Sequence, residues 1–437
     1  MSRLARRVTT LGAQALTSAR TRAIRRWVAE RRRRLRGEPH QVHYFHQVDD
    51  PYSHLAAQVL DRIVERYDVE LAPHLVGPPP DSAAPDRARL EAFALRDAGD
   101  VAPGYGLAFP QGAAAPDPAL TARAIAILAR STSSSSFASE AVRVGTALWS
   151  GDRSALGPDD GTDVRAQLEA GNRLRERLGH YLGAMLYYGG EWYWGVDRLM
   201  HLERRLQGLG LLRPGMSADL IAPRPVVHAR PTSKPAARSP IALEFYPSMR
   251  SPYTWIAMER TYALARRHNV ELVLRPVLPM VMRGLPVPRT KQVYIALDTK
   301  REAEDAGVSF GRVCDPVGRP VERVFSLYPW ARKSGRAAEL LLSFAGAAFA
   351  EGVDTGSDAG LRFVVERAGL SWSEAREHLD GESWRPELEE NRRALLALGL
   401  WGVPSFCLRG AGGEALYSTW GQDRLWRVEQ ELQRLAR

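Results

Sequence analysis

The 437 residues predict an α/β protein made of two tandem copies of one order: strand–helix–strand, a helical insertion, then strand–strand–helix. Two gap-free matches and one charge asymmetry carry that reading. Val42-His43-Tyr44-Phe45 and Asp50-Pro51-Tyr52-Ser53 align on Leu243-Glu244-Phe245-Tyr246 and Ser251-Pro252-Tyr253-Thr254, and the register holds to Val69-Glu70-Leu71 against Val270-Glu271-Leu272, an offset of 201. Near the end of each half, Trp194-Gly195-Val196-Asp197-Arg198-Leu199 matches Trp420-Gly421-Gln422-Asp423-Arg424-Leu425 at an offset of 226, so the second half carries 25 more residues between its matches. The formal charge of +10 is not spread over this duplicated body. Residues 1–36 hold twelve Arg and one Glu, and the rest of the chain is close to neutral.

A chain of this length can bury two cores of ordinary size. No run of eighteen apolar residues exists, which excludes a spanning helix. The two cysteines, Cys314 and Cys407, form neither a CxxC nor a metal-ligand cluster. No metal and no disulfide framework are expected, and a reducing, cytoplasmic compartment fits.

Taken in order, residues 1–38 read as a basic amphipathic extension, with Leu4, Val8, Leu11, Ile24, Trp27, Val28 and Leu35 at helical spacings among arginines. Such a segment can contact an anionic membrane surface, can serve as a transit peptide, or can remain a solvated tail. Specific nucleic-acid recognition is not expected of the neutral body. The first domain, 39–212, opens with a strand, the N-cap pair Asp50-Pro51 and a helix to about Tyr67. A parallel strand from Val69 follows, then helices through Leu178, short strands over Met185–Trp194 and a closing helix from Asp197. Counting on from Gly183, matched to Gly402, places Met185 where Pro404 stands. Residues 213–240 hold six prolines and read as a linker. The second domain, 241–437, repeats the order: strand, helix 251–268, strand Val270–Val277, helices 291–306, 336–351, 358–368 and 373–397, a strand led by Pro404, a hairpin partner at Ala415–Thr419 and a last helix from Gln422.

Ser251-Pro252 is a good helix start, and the partial positive charge of a helix N-terminus favours an anion or thiolate beside it. Strand–helix–strand followed by a proline-led hairpin and a helix is the thioredoxin-like order. Within it, Phe245-Tyr246, Ser251-Pro252-Tyr253-Thr254, Gly402-Val403-Pro404-Ser405-Phe406 and Trp420-Gly421-Gln422-Asp423-Arg424 resemble the kappa-class glutathione transferases and 2-hydroxychromene-2-carboxylate isomerases, a branch of the DsbA-like superfamily. The resemblance implies that Ser251 hydrogen-bonds the sulfur of bound glutathione. It further implies that the Val403-Pro404 edge pairs with the cysteinyl part of the tripeptide, and that Gln422 and Asp423 meet the γ-glutamyl end. Lys291 resembles a lysine that the family carries in its insertion. Each residue also has a plainer reading: a helix cap for Ser251, a turn for Pro404, a first-turn acid for Asp423, a surface cation for Lys291. The family's Gly-Asn pair is missing at Met282-Arg283-Gly284-Leu285-Pro286, which puts one ligand contact in doubt. In the first repeat Asp50 replaces the serine and Val196 replaces Gln422, so that copy is expected to keep the fold and lose the chemistry.

Three functions follow. The first is a glutathione-dependent isomerase or transferase acting on a small aromatic or conjugated electrophile. The second is a thiol–disulfide oxidoreductase, disfavoured because no cysteine pair is present to form and resolve a mixed disulfide. The third is a non-enzymatic pseudo-dimer that binds a partner or membrane. The family's homodimers imply that a tandem chain pairs its own two repeats and is monomeric, an expectation that sedimentation checks.

Overall fold

The structure, a computed structural model, describes residues 3–158, 162–227 and 240–436. The chain forms two compact units, one of Ala23–Val226 with Pro288–Tyr294, the other of Met1–Arg22, Val227–Val287 and Ile295–Arg437. Each contains one four-stranded sheet with the thioredoxin-like order.

The N-terminal extension is two helices, α1 (Arg3–Thr17) and α2 (Ala19–Leu35), separated at Ser18. Ser18 Oγ accepts from Thr21 N–H at 3.0 Å, a side-chain cap that restarts the helix. α1 belongs to the second-repeat unit, where Thr17 is 4% exposed and its hydroxyl meets Ala13 O and Gly311 O. Of the readings open for the extension, a wholly solvated tail does not describe α1, which packs on this unit through Thr17. Small residues such as Thr17 let the helix approach the body closely, which an arginine count does not reveal.

In the first-repeat unit, β1 (Gln41–His46), α3 (Pro51–Arg66) and β2 (Glu70–Leu75) form the strand–helix–strand start, with β1 and β2 parallel from Gln41↔Glu70 to His46↔Leu75. The helical insertion is α4 (Arg87–Val101), α5 (Pro118–Ser131), α6 (Phe137–Trp149) and α7 (Arg165–Arg177). β3 (Met185–Tyr188) and β4 (Glu191–Trp194) complete the sheet in the order β2-β1-β3-β4, and α8 (Leu199–Gly208) closes the repeat. The stretch after α8 does not leave the unit at once. Arg213 N–H donates to Arg66 O, Ile221 and Ala222 are buried, and Ile221 N–H donates to the Glu203 carboxylate at 2.9 Å. The first part of the expected 213–240 linker is thus folded onto this repeat through its few apolar residues; 228–239 lie outside the described residues.

In the second-repeat unit, β5 (Ala242–Tyr246) leads into α9 (Pro252–Arg267) and the parallel β6 (Glu271–Leu274). The insertion is α10 (Arg289–Asp305), α11 (Arg319–Lys333), α12 (Ala337–Gly346), α13 (Asp358–Arg367), the one-turn α14 (Trp372–Ala375) and α15 (Arg385–Ala397). Residues Arg289–Tyr294 of α10 group with the first-repeat unit. β7 (Ser405–Arg409) and β8 (Ala415–Trp420) extend the sheet as β6-β5-β7-β8, and α16 (Leu425–Leu435) ends the chain. Two expectations change. The sequence reading passed over α11, because Pro329 sits inside it and Pro320 near its start; both are tolerated in a helix whose inner face buries Val321, Val324, Phe325 and Tyr328. The single helix over 373–397 is two, interrupted around Gly381 and restarted with Pro386 in its first turn. The core lies between sheet and insertion, with Phe245 stacked on Phe406 at 5.4 Å and Phe325, Phe344 and Phe349 fully enclosed. Among the described residues no helix is long and apolar enough to cross a membrane.

Candidate functional site

β5 ends at Tyr246, which pairs with Ser405 at the start of β7. The loop that leaves β5 toward Ser251 and the loop that enters β7 through Pro404 therefore share one end of the sheet. Ser251 is the N-cap of α9, with extended backbone, and its Oγ accepts from Thr254 N–H at 3.1 Å. That bond uses one lone pair and leaves the hydroxyl proton to donate outward. Thr254 is fully buried, and Ser248 N–H donates to its Oγ1 at 3.3 Å, so its hydroxyl pins the loop ahead of the cap. The Val403-Pro404 peptide is cis. Val403 N–H and C=O make no hydrogen bond among the described residues, since the ladder with β5 begins only at Ser405. The backbone of half-buried Val403, at the end of the sheet where Ser251 also lies, is thereby left unpaired among the described residues. Gly402 is required here, because a Cβ would stand 1.9 Å from the Trp420 ring.

The third element is the turn at the start of α16. Gly421 N–H donates to Pro404 O at 2.9 Å, tying this turn to the cis-proline loop. Gln422 is buried, with its amide held at both ends: Arg260 Nη1 donates to Oε1 at 2.9 Å, and Nε2 donates to Glu302 Oε2 at 2.5 Å. Its side chain is thus a brace that ties the turn to Arg260 and Glu302. Asp423 lies beside Arg424, 3.6 Å from Asp423 Oδ1 to Arg424 Nη1, and both are largely enclosed. Ser251, Val403, Pro404, Gln422 and Asp423 thus come together at one edge of the second-repeat unit. Lys291 does not join them within that unit. It groups with the first repeat, where Nζ donates to Ala83 O at 2.7 Å and burial pushes its ammonium down to about 8.

Sequence reasoning missed the groups that hold this edge in place. Tyr253 Oη donates to Asp298 Oδ2 at 2.7 Å, and Arg301 Nη2 reaches Asp298 Oδ1 at 3.0 Å; Asp298 is completely buried. The first repeat has the same bond, Tyr52 Oη to Asp97 Oδ2 at 2.7 Å, over the same separation of 45 residues. Both partners keep the offset of 201, so α4 and α10 are equivalent and the extra residues of the second half enter after them. Equal Tyr-to-Asp spacing in the two halves was the signal available in the sequence.

The first repeat shows how the same frame is closed. Met185 pairs with Phe45 and Trp194, as Ser405 pairs with Tyr246 and Trp420, so Ala184, not Met185, stands where Pro404 does. Gly195 N–H donates to Ala184 O as Gly421 N–H does to Pro404 O. The expectation was one residue off because it counted from a glycine instead of from the sheet register. Replacing proline by alanine adds a backbone N–H, and Ala184 N–H donates to Ser53 Oγ at 2.9 Å, while Ser53 Oγ donates to Asp50 Oδ2 at 2.9 Å. Asp197, equivalent to Asp423, accepts from Tyr105 Oη at 2.8 Å. At the equivalent positions of the first repeat, Ala184 N–H, Asp50 and Asp197 are all hydrogen-bonded within the repeat.

Burial pushes the Asp50 carboxyl up to about 7, opposed by its bonds from Ser53 and Tyr52. The folded chain therefore holds this proton more tightly than the unfolded chain. Its stabilising share is complete below the ordinary carboxylate pKa of 3.8 and is lost as pH rises through about 7. Asp50→Asn removes that loss. Its thermal midpoint is expected to exceed that of wild type more at pH 8 than at pH 5, by an increment on the order of 2–4 kcal/mol in stability. Calorimetric melts at the two pH values measure it, and an equal offset at both contradicts a proton held on Asp50.

Residues 242–433 match the profile of the DSBA-like thioredoxin domain family. Among solved structures, the chain is similar to a 2-hydroxychromene-2-carboxylate isomerase at 21% identity, covering 45% of this chain and 96% of that one with a TM-score of 0.38. It is also similar to the cytosolic disulfide reductase DsbM of Pseudomonas aeruginosa, at 20% identity, 45% and 100% coverage and a TM-score of 0.34. A thioredoxin-like oxidoreductase of Silicibacter pomeroyi matches at 14% identity, 45% and 88% coverage and a TM-score of 0.29. No match was found among curated proteins.

Proposed function

From the premise that residues 242–433 form a DSBA-like thioredoxin domain, we propose that the second repeat is a glutathione-dependent isomerase or transferase for a small conjugated electrophile. The observation that carries this reading is the hydroxyl of Ser251 at the cap of α9, at the same end of the sheet as the unpaired backbone of Val403. In the family that the sequence resembles, a serine at this position meets the sulfur of bound glutathione. A serine there supplies no thiol of its own but offers a proton to one brought by a ligand.

The residues present fit the tripeptide. Val403 offers one free N–H and one free C=O, the pair that an extended peptide needs. Asp423 would take an ammonium, and the backbone of the same turn a carboxylate. Bound glutathione would supply a thiolate that adds reversibly to an electrophilic carbon. Ser251 would donate its hydroxyl proton toward the sulfur, and the N-terminus of α9 would add its partial positive charge; both favour the ionised form. The brace from Glu302 and Arg260 through Gln422 would hold the turn while the substrate changes.

Disulfide exchange is less well served. Cys407 is buried in β7, where burial pushes its thiol up to about 11, and Cys314 is buried as well. Neither offers the exposed, acidic thiol that exchange requires. Retention on a glutathione-affinity column tests the reading: wild type is expected to bind and elute with free glutathione, and Asp423→Ala to pass through. Equal retention of both, or of neither, would remove Asp423 from the account.

A further inference from the structure

α2 is turned the opposite way from an ordinary surface helix. Such a helix presents its apolar stripe to the body and its charges to water. Here Ile24, Trp27 and Leu35 are 52%, 63% and 77% exposed. At three- and four-residue spacings they line one face together with exposed Arg31, whose guanidinium lies 5.8 Å from the Trp27 ring centroid. The opposite face carries ion pairs, one of them to the repeat and the others within the extension. Arg26 makes a bidentate pair with Glu191, 2.8 Å at its shorter contact, and Arg33 bonds to Glu30 at 2.6 Å and to Glu38 O at 2.7 Å. The Arg26–Glu191 pair ties the helix to the repeat while an aromatic, an isoleucine and a leucine stay in water, at a cost that a second surface would relieve.

We propose that this outer face of α2 docks on an anionic lipid surface. Charge complementarity selects the partner: twelve arginines stand against one glutamate in residues 1–36, and Arg31, Arg32 and Arg34 are exposed around the apolar stripe. The apolar residues separate lipid from nucleic acid. Phosphate-backbone binding needs only the cations, whereas Trp27, Ile24 and Leu35 are of the kinds that enter the boundary between headgroups and acyl chains. Arginine stems lie along that boundary with their heads at the phosphates. The helix would then lie in the plane of the surface. This placement is independent of the glutathione site.

Flotation of the full chain with vesicles tests it. Binding is expected to vesicles of phosphatidylcholine containing phosphatidylglycerol, and to be lost with pure phosphatidylcholine or at high salt. The double variant I24S/W27S is expected to lose about tenfold or more in vesicle affinity, and R31E/R32E a comparable factor. The two variants probe different terms on the same readout, so if one fails to fold the other decides. The inference is overturned if wild type does not float with anionic vesicles, including the case in which it binds duplex DNA or RNA instead. It is also overturned if a folded I24S/W27S or R31E/R32E binds as wild type does.

Discussion

Ser251→Ala is expected to lower turnover of a conjugated electrophile by about a hundredfold or more, while glutathione affinity changes by less than about fivefold. The asymmetry follows from where the hydroxyl acts. Most of the tripeptide would be held by the Val403 edge and the Asp423 turn, neither of which depends on Ser251 Oγ. The sulfur alone would lose its donor. Losing the cap bond to Thr254 N–H also costs stability, about 1 kcal/mol, so the assay belongs well below the melting transition. A pH titration of thiolate absorbance separates the two contributions: the variant is expected to raise the pKa of the bound thiol, whereas a mere loss of helix capping would leave it in place. Unchanged turnover in a folded Ser251→Ala protein reduces this serine to a cap.

The second large effect is on stability. Asp298→Ala leaves the Tyr253 hydroxyl and the buried Arg301 guanidinium facing an empty carboxylate position, which is expected to cost about 3–5 kcal/mol. Tyr253→Phe removes only one neutral donor, yet the carboxylate keeps Arg301, so about 1–2 kcal/mol is expected. Asp97→Ala in the first repeat is expected to act on its own unit, because Tyr52 is its counterpart there. Denaturant melts of the three variants check the ranking, and an Asp298→Ala protein as stable as Tyr253→Phe contradicts the role given to the buried carboxylate.

The duplication was legible because it is written in strand and cap residues: the Tyr44–Phe45 and Phe245–Tyr246 strands, the Asp50-Pro51 and Ser251-Pro252 helix starts, and the paired Trp-Gly turns at 194 and 420. The positions of Ser251 as a helix cap and of Pro404 at the start of β7 were legible for the same reason. What escaped lies in the insertion. α4 and α10 are equivalent, but helical positions facing a core accept many apolar residues, so Asp97 and Asp298 stand among neighbours that do not match. α11 was hidden by two prolines that tertiary burial overrides. The bracing of Gln422 by Glu302 and Arg260 was not legible at all, because it joins residues 120 and 162 positions apart. Nor was the outward turn of Trp27, since an amphipathic pattern names two faces without saying which one meets the body.

On the proposed function a thiol ligand binds the second repeat alone, since in the first the equivalent positions are bonded by Ser53, Asp50 and Tyr105. Isothermal titration of the full chain with glutathione measures this most directly. One site per chain is the expected result, lost in Asp423→Ala and retained in Asp197→Ala. Two sites per chain, no site, or a single site that survives Asp423→Ala and disappears in Asp197→Ala would contradict it.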